Sequence, residues 1–461
     1  MKALWVVIAL GVGACTVVNR VEVCEVAAPR AQGVNQFTDG AQAVDGVAAL
    51  AALPDQGAFV VFTTAPANDD DGTGPAGVRG ALLDANGRLV ATCGSTAEKD
   101  YALAGAAGTR SDQPSVAMPG LVGDDTGLVV WRARSGAGQR VMGRFVTRAG
   151  CPATDAFPID ERAVDRVERP SVAWLGRRRF VVAWSSVSVT PAPALVGFAR
   201  VLEFTGPTGP TFLPTALRPD GEPAALVREG NGAVYLRVAR VGDAQFAALW
   251  YDTITQLTWF GAYNDRFVPA SPLHPISEQA SLTSAAGRIP GGGHVALASD
   301  GAQLLTAWIE TDGQNARRLK GRFLSPGGEA LSAGVAPTGG SFVVSDVPAT
   351  EEGRVALAPM SDGGFFAVWE DATLSAGRAR GLRAAVFDGG GARRFVPIAC
   401  DPVGFDLAGD EPGTRRSPAA VRLVDGSILA VWTAQHPTGT DRSGTGVRSL
   451  RLPRAALAYV P

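Results

Sequence analysis

Eight residues carry most of the chemistry that this sequence can bring to one place: Arg132, Arg134, Ser185, Asp252, Glu310, Glu370, Asp371 and His436. Each lies just beyond a large aromatic that ends a short apolar run. The acids gather in the later copies of this pattern and the arginines in an early one. Glu310, Glu370 and Asp371 are the residue types that cleavage of a glycosidic bond requires. Such a pair stands about 5–5.5 Å apart for retention or about 6.5–9.5 Å apart for inversion. Together the eight predict a polar funnel for a glycan, a peptide or a metal-bridged ligand. Ordinary solvated loop residues are the plainer alternative.

Other chemical motifs are absent. His274, His294 and His436 lie far apart and give no paired-ligand spacing for a metal. There is no Gly-x-Ser-x-Gly, no phosphate-binding Walker loop and no CxxC. Asn68-Asp69-Asp70-Asp71-Gly72 opens like a calcium loop but lacks the later bidentate acid, so a solvated acidic turn is expected. No cofactor and no metal site are predicted. A net charge of −2 argues against nucleic acid as an electrostatic partner.

The elements that position these residues repeat. Seven apolar runs end in Phe62, Trp131, Trp184, Trp250, Trp308, Trp369 and Trp432, at intervals of about sixty residues. Upstream of each lies a second apolar pair, among them Val47-Ala48, Val116-Ala117, Val172-Ala173, Val238-Ala239, Val295-Ala296 and Val355-Ala356. The last copy reads Ala419-Ala420-Val421. Asp300-Gly301, Asp362-Gly363 and Asp425-Gly426 separate the two runs in the last three copies, a strong hairpin signal. A third run with a glycine follows, as in Val141-Met142-Gly143-Arg144-Phe145, and then a weaker fourth with prolines suited to an edge strand. Four antiparallel strands per copy predict an all-β fold, a β-propeller of seven four-stranded blades. Sandwich domains would repeat at about a hundred residues. Residues 207–237 interrupt the pattern as an irregular insert.

The repeat resembles those of bacterial surface propellers of the broad kelch and WD-repeat type, in architecture alone. The sialidase-type Ser-x-Asp-x-Gly-x-Thr-Trp box is incomplete throughout, so no catalytic residue carries over. The N-terminus shows a more specific resemblance. Met1-Lys2 precedes an apolar stretch too short for a stable span, ending Val12-Gly13-Ala14-Cys15. This resembles the lipobox of bacterial lipoproteins. It implies cleavage before Cys15, acylation of its sulfur, and, with Thr16 following, an outer-membrane or cell-surface address. The expected organisation is a signal peptide over 1–14, a lipidated tether over 15–40 that can supply a ring-closing strand, and the propeller over 41–461.

Four other cysteines in an exported chain favour disulfides. Placing the N-terminal strand beside the last blade pairs Cys24 with Cys400 and leaves Cys93 for Cys151, one of three connectivities. Two function classes remain. The first is a non-catalytic binding or scaffold module for a glycan or protein partner, touching the membrane only through its lipid. The second is a hydrolase or lyase acting on extracellular polysaccharide through Glu310, Glu370 and Asp371. The sequence favours the first.

Overall fold

The computed structural model describes residues 31–34, 41–44, 49–55, 57–65, 76–91, 93, 100–105, 109–120, 125–162, 164–188, 194–214, 218, 220–226, 232–278, 295–311, 317–332, 339–345, 354–371, 381–394, 404–407, 414–435 and 445–457. The expectations placed on Cys15, Cys24, Cys400, His294, His436 and the acidic turn at 68–72 lie outside these residues.

Seven antiparallel sheets form the seven blades of a propeller. In the second blade the strands run from the axis outward as Arg110–Ala117, Thr126–Ser135, Gly138–Thr147 and Phe157–Pro158. The innermost strands pack against one another around the ring, first blade to seventh and back to the first. The described Val-Ala pairs all lie on these innermost strands, and the aromatic-ended runs are the second strands.

Why the second strands are apolar on consecutive residues is visible in the packing. Phe180, Val182 and Trp184 point into the gap between blades two and three, whereas Val181 and Ala183 point into the gap between three and four. Alternate residues of a strand face opposite sides of its sheet, and here both sides are covered by a neighbouring blade. Apolar clusters of this kind fill every gap around the ring. The anchors Phe62, Trp131, Trp184, Trp250, Trp308, Trp369 and Trp432 are all buried, none more than 4 % exposed.

Two glycine patterns have separate causes. Gly363 and Gly426 adopt left-handed backbone at φ 80° and 82°, as their Asp-Gly turns require. The third-strand glycines make room instead. A Cβ on Gly80 would stand 2.5 Å from the Phe59 ring, and one on Gly321 would stand 2.9 Å from Val344.

The ring closes with an N-terminal strand. Gln32–Gly33 pairs with Thr445–Leu452 and forms the outer strand of blade seven. The Val34 amide donates to the Val447 carbonyl at 2.9 Å, and the Ser449 hydroxyl donates to the Gly87 carbonyl of blade one at 2.7 Å. The ring is thereby closed, and each blade keeps only a short outer edge. The irregular insert contributes two short outer strands to blade three, Pro210–Phe212 and Ala224–Ala225. Buried Arg200 fastens it, donating to the Gly221 carbonyl at 2.7 Å and stacking over the Phe212 ring.

One expectation needs correction. No disulfide joins Cys93 to Cys151; Cys93 is exposed and Cys151 half-buried. Both lie within electrostatic reach of the Tyr101 hydroxyl, which their charges and above all its burial keep protonated. The cysteines are thus neighbours across blades one and two, as the blade order requires, without being bonded. Among the described residues no helix is long and apolar enough to cross a membrane.

Candidate functional site at one end of the inner ring

The first strands begin, and the second strands end, at the same end of the propeller. Pairings such as Asp112 with Arg132, Glu168 with Ser185, and Ala233 with Asp252 fix this. Buried charged and polar side chains concentrate there: Asp112, Arg132, Glu168, Ser185, Arg237, Asp252, Glu310, Glu370 and Asp371 are all at most 9 % exposed. Arg132, Ser185, Asp252, Glu310, Glu370 and Asp371 are therefore not solvated loop residues, whereas Arg134 is half-exposed. They are ends of strands, drawn into the inner ring.

A backbone device aims the inner residues. The first strands of blades two, three, four and seven each slip register near their start, between Asp112 and Ser115, Glu168 and Ser171, Val234 and Arg237, and Arg416 and Ala419. Gln113, Tyr235 and Ser417 are left-handed there, at φ 55°, 59° and 55°. A bulge of this kind adds twist and turns the neighbouring side chains out of the alternating pattern. The sequence carries a signal for it that the aromatic repeat does not contain. Pro114-Ser115-Val116-Ala117 and Pro170-Ser171-Val172-Ala173 repeat in register, each preceded by an acid, Asp112 or Glu168. Asp112, Glu168, Arg169 and Arg237 are the charged residues that reading from the aromatics missed.

The predicted residues divide by what holds them. Arg132 clamps Asp112 through both nitrogens of its fork, at 2.7 and 3.0 Å, and donates to the Val167 carbonyl of blade three at 3.2 Å. Arg134 and Arg110 reach the same Asp112, each at 2.9 Å. Asp252 caps its own turn, accepting from the Ile254 and Thr255 amides at 2.8 and 3.2 Å. Glu310 accepts from the Trp308 indole at 3.0 Å and pairs with Lys320 at 2.9 Å. Glu370 accepts the Ser417 amide of blade seven at 2.7 Å. Asp371 pairs with Arg383 at 2.8 Å. The buried Ser185 hydroxyl has no hydrogen-bond partner among the described residues.

Bonds between blades gather at this end. Val238 donates to the Ser171 hydroxyl, the Ser115 hydroxyl to the Pro170 carbonyl, and Val44 to the Thr433 hydroxyl. Arg354, just before the first strand of blade six, crosses to the Ser417 hydroxyl of blade seven and the Val44 carbonyl of blade one. Arg237 of blade four is different from every arginine described so far. Its Nη1 donates to the Leu236 carbonyl at 3.1 Å, and no carboxylate pairs with it among the described residues. Burial first, and then the positive fields of Arg169 and Arg354, push its guanidinium down to about 9. Tyr235 beside it stays protonated well above its usual range, through burial and then through Glu168.

The opposite, turn-bearing end has another character. A cleft of about 860 Å³ opens there between blades one and two, lined by Leu53, Asp55, Leu82, Asp84, Asp125 and Arg148. Among the described residues no group of histidines, cysteines and acids could hold a metal.

Seven four-stranded blades around a charged inner ring define a β-propeller. The solved structures similar to it include the NanB sialidase of Streptococcus pneumoniae, at 11 % identity and a TM-score of 0.50 over 93 % of this chain and 71 % of that one. A Dyadobacter fermentans protein of unknown function aligns over 92 % of this chain and 98 % of its own, at 10 % identity and a TM-score of 0.47. The intramolecular trans-sialidase of Ruminococcus gnavus covers 93 % and 99 %, at 10 % identity and 0.46. At such identities the likeness is one of fold alone. No protein-family description matches the chain, and no curated protein does.

Proposed function

We propose that this protein acts on an extracellular polysaccharide at the charged end of its inner ring. The observation that supports this reading is the segregation of buried charge. Glu310, Glu370, Asp371, Arg132 and Arg237 all lie where the second strands end and the first begin. Charged groups are expensive to bury, and structural need alone would not gather them at one end. The fold shared with the NanB sialidase adds support, and it reverses the order of the two function classes: a hydrolase or lyase now stands ahead of a passive binding module. In this reading Glu310, Glu370 and Asp371 remain the carboxylates to test. Arg132, Arg134, Ser185, Asp252 and His436 belong to the ligand-binding face. Acylation at Cys15 would hold this face outside the cell membrane, tethered through the chain that leads to Gln32–Gly33.

The test is product release from galacturonan, sialylated glycan and neutral glucan, read as new reducing ends. Wild type should release product from at least one. One of E310Q, E370Q or D371N should lower the rate by about 10²-fold or more while staying folded. Binding without release would restore the non-catalytic module, and neither binding nor release would overturn the reading. Mass spectrometry of the mature N-terminus tests the anchor, with a diacylated Cys15 expected and an unmodified start elsewhere contradicting it.

A further inference from the structure

Blade three turns between its first and second strands in two residues, Arg177 and Arg178, with Gly176 paired to Arg179 across the hairpin. Both tip residues take left-handed backbone, at φ 51° and 61°. That geometry favours Asn-Gly or Asp-Gly, because a Cβ is disfavoured there. Blades six and seven meet the need with Gly363 and Gly426, whereas blade three holds two arginines in it. Strain that a different residue would remove points to a function.

The tip arginines do little for the fold. Arg177 is 81 % exposed, and Asp243 of blade four, 3.7 Å from it, is itself open to water. Exposed pairs of this kind contribute little. Arg178 is exposed too, with its guanidinium 5.9 Å from the centre of the Phe204 ring. The tip is nonetheless fixed. Arg179 beneath it donates to Asp265 of blade four at 2.6 Å and to Glu203 at 3.1 Å, which neutralises it against both acids. The Ala244 amide donates to the Leu175 carbonyl at 3.2 Å. Arg266, next to Asp265, is exposed, and Val268 beside it is 45 % exposed. Arg177, Arg178 and Arg266 therefore form a fixed basic patch edged by an open apolar side chain.

This patch lies at the turn-bearing end, and the N-terminal side of the chain faces the same way. Gln32–Gly33 is antiparallel to Thr445–Leu452. The latter ends beside the Asp425-Gly426 turn, where Arg451 donates to the Ser427 hydroxyl at 3.1 Å. Gln32–Gly33 thus runs from the turn-bearing end toward the charged end, with the Cys15 side of the chain behind it.

We propose that the turn-bearing end of blades three and four docks on an anionic phospholipid surface, its arginines on the phosphates and Val268 at the headgroup boundary. Docked so, the propeller points the charged end of its ring away from the bilayer. That orientation rests on the acylation of Cys15 proposed above; the contact itself does not.

Co-sedimentation tests the contact, using the full chain with Cys15→Ser, which cannot be acylated. The vesicles are phosphatidylcholine alone and an equal mixture of phosphatidylcholine and phosphatidylglycerol. The mixed vesicles should bind the chain about tenfold or more tightly, a preference that fades as salt is raised. Arg177→Asn combined with Arg178→Gly installs the residues that the turn favours. The thermal midpoint should therefore hold or rise, while most of the preference is lost. Arg266→Ser should weaken binding to the mixed vesicles by about fivefold. Equal binding to both vesicle types, or a preference unchanged in R177N/R178G, would overturn the docking surface.

Discussion

Blades two and four both bury arginine at the charged end of the ring, and they handle it differently. In blade two, Arg110, Arg132 and Arg134 close on the single carboxylate of Asp112, which is 2 % exposed. In blade four, Arg237 has a carbonyl and, within electrostatic reach, two more cations. Both sets sit beside the same bulge in equivalent first strands. The bulge therefore aims charge inward in either blade, and the presence of a counter-charge decides what that charge is for. With Asp112 the arginines bind blade two to the Val167 carbonyl of blade three, a structural joint. Arg237 has only the Leu236 carbonyl and no carboxylate partner among the described residues, so its burial is an uncompensated cost.

The contrast predicts opposite signs. Asp112→Ala should cost about 3–5 kcal/mol, because it strands buried guanidiniums; urea unfolding would show it, and a loss below about 1 kcal/mol would break the comparison. Arg237→Gln should instead stabilise, by about 1–4 kcal/mol at neutral pH, since a costly buried charge is removed. The pH dependence sharpens this. Burial, and then the fields of Arg169 and Arg354, hold the Arg237 cation at about 9 in the folded chain, well below its ordinary value. The folded state therefore sheds its proton first as pH rises, and wild-type stability gains relative to R237Q above about 9. Arg169, Arg354 and Tyr235 are the charged and titratable groups that act on it, so R237Q minus wild type isolates the effect. The advantage of R237Q should shrink between pH 8 and pH 10, within about that window. A gap that widens instead would contradict the assignment.

Smaller effects should come from joints with neutral donors. Glu370→Ala leaves the Ser417 amide without its acceptor and should cost about 1–3 kcal/mol in denaturant unfolding. The smallest belongs to the exposed pair Arg177 and Asp243, 3.7 Å apart with both side chains open to water. Arg177→Ala should change stability by less than about 0.5 kcal/mol.

The architecture was legible because it repeats. Phe180 to Trp184 is apolar throughout, and only a sheet covered on both faces can use such a strand. The third-strand glycines were legible for the same reason, one steric need recurring from blade to blade, and the Asp-Gly turns recur in the last three copies. The charged end was half legible. Counting forward from each aromatic found Arg132, Glu310, Glu370 and Asp371 because they continue the repeating strand. It missed Asp112, Glu168 and Arg237, which lie on the partner strand across the bulge. For Asp112 and Glu168 the signal was the Pro-Ser-Val-Ala run, which marks where register slips; blade four reads Tyr235-Leu236-Arg237-Val238-Ala239 and lacks it. Asp112 takes Arg110, Arg132 and Arg134 from its own blade, across strands whose register has slipped, and spacing along the chain does not encode that slip. The expected Cys93–Cys151 bond failed at the same level. Blade order brought Cys93 and Cys151 near one another, but side-chain geometry decides whether neighbours bond.

A bromide soak of crystals of the full chain, read by anomalous scattering, tests the contrast between the two arginine sets most directly. A bromide peak is expected within contact of Arg237, and none at Arg110, Arg132 and Arg134, where Asp112 already fills the fork. A peak at the Asp112 cluster with none at Arg237 would contradict it.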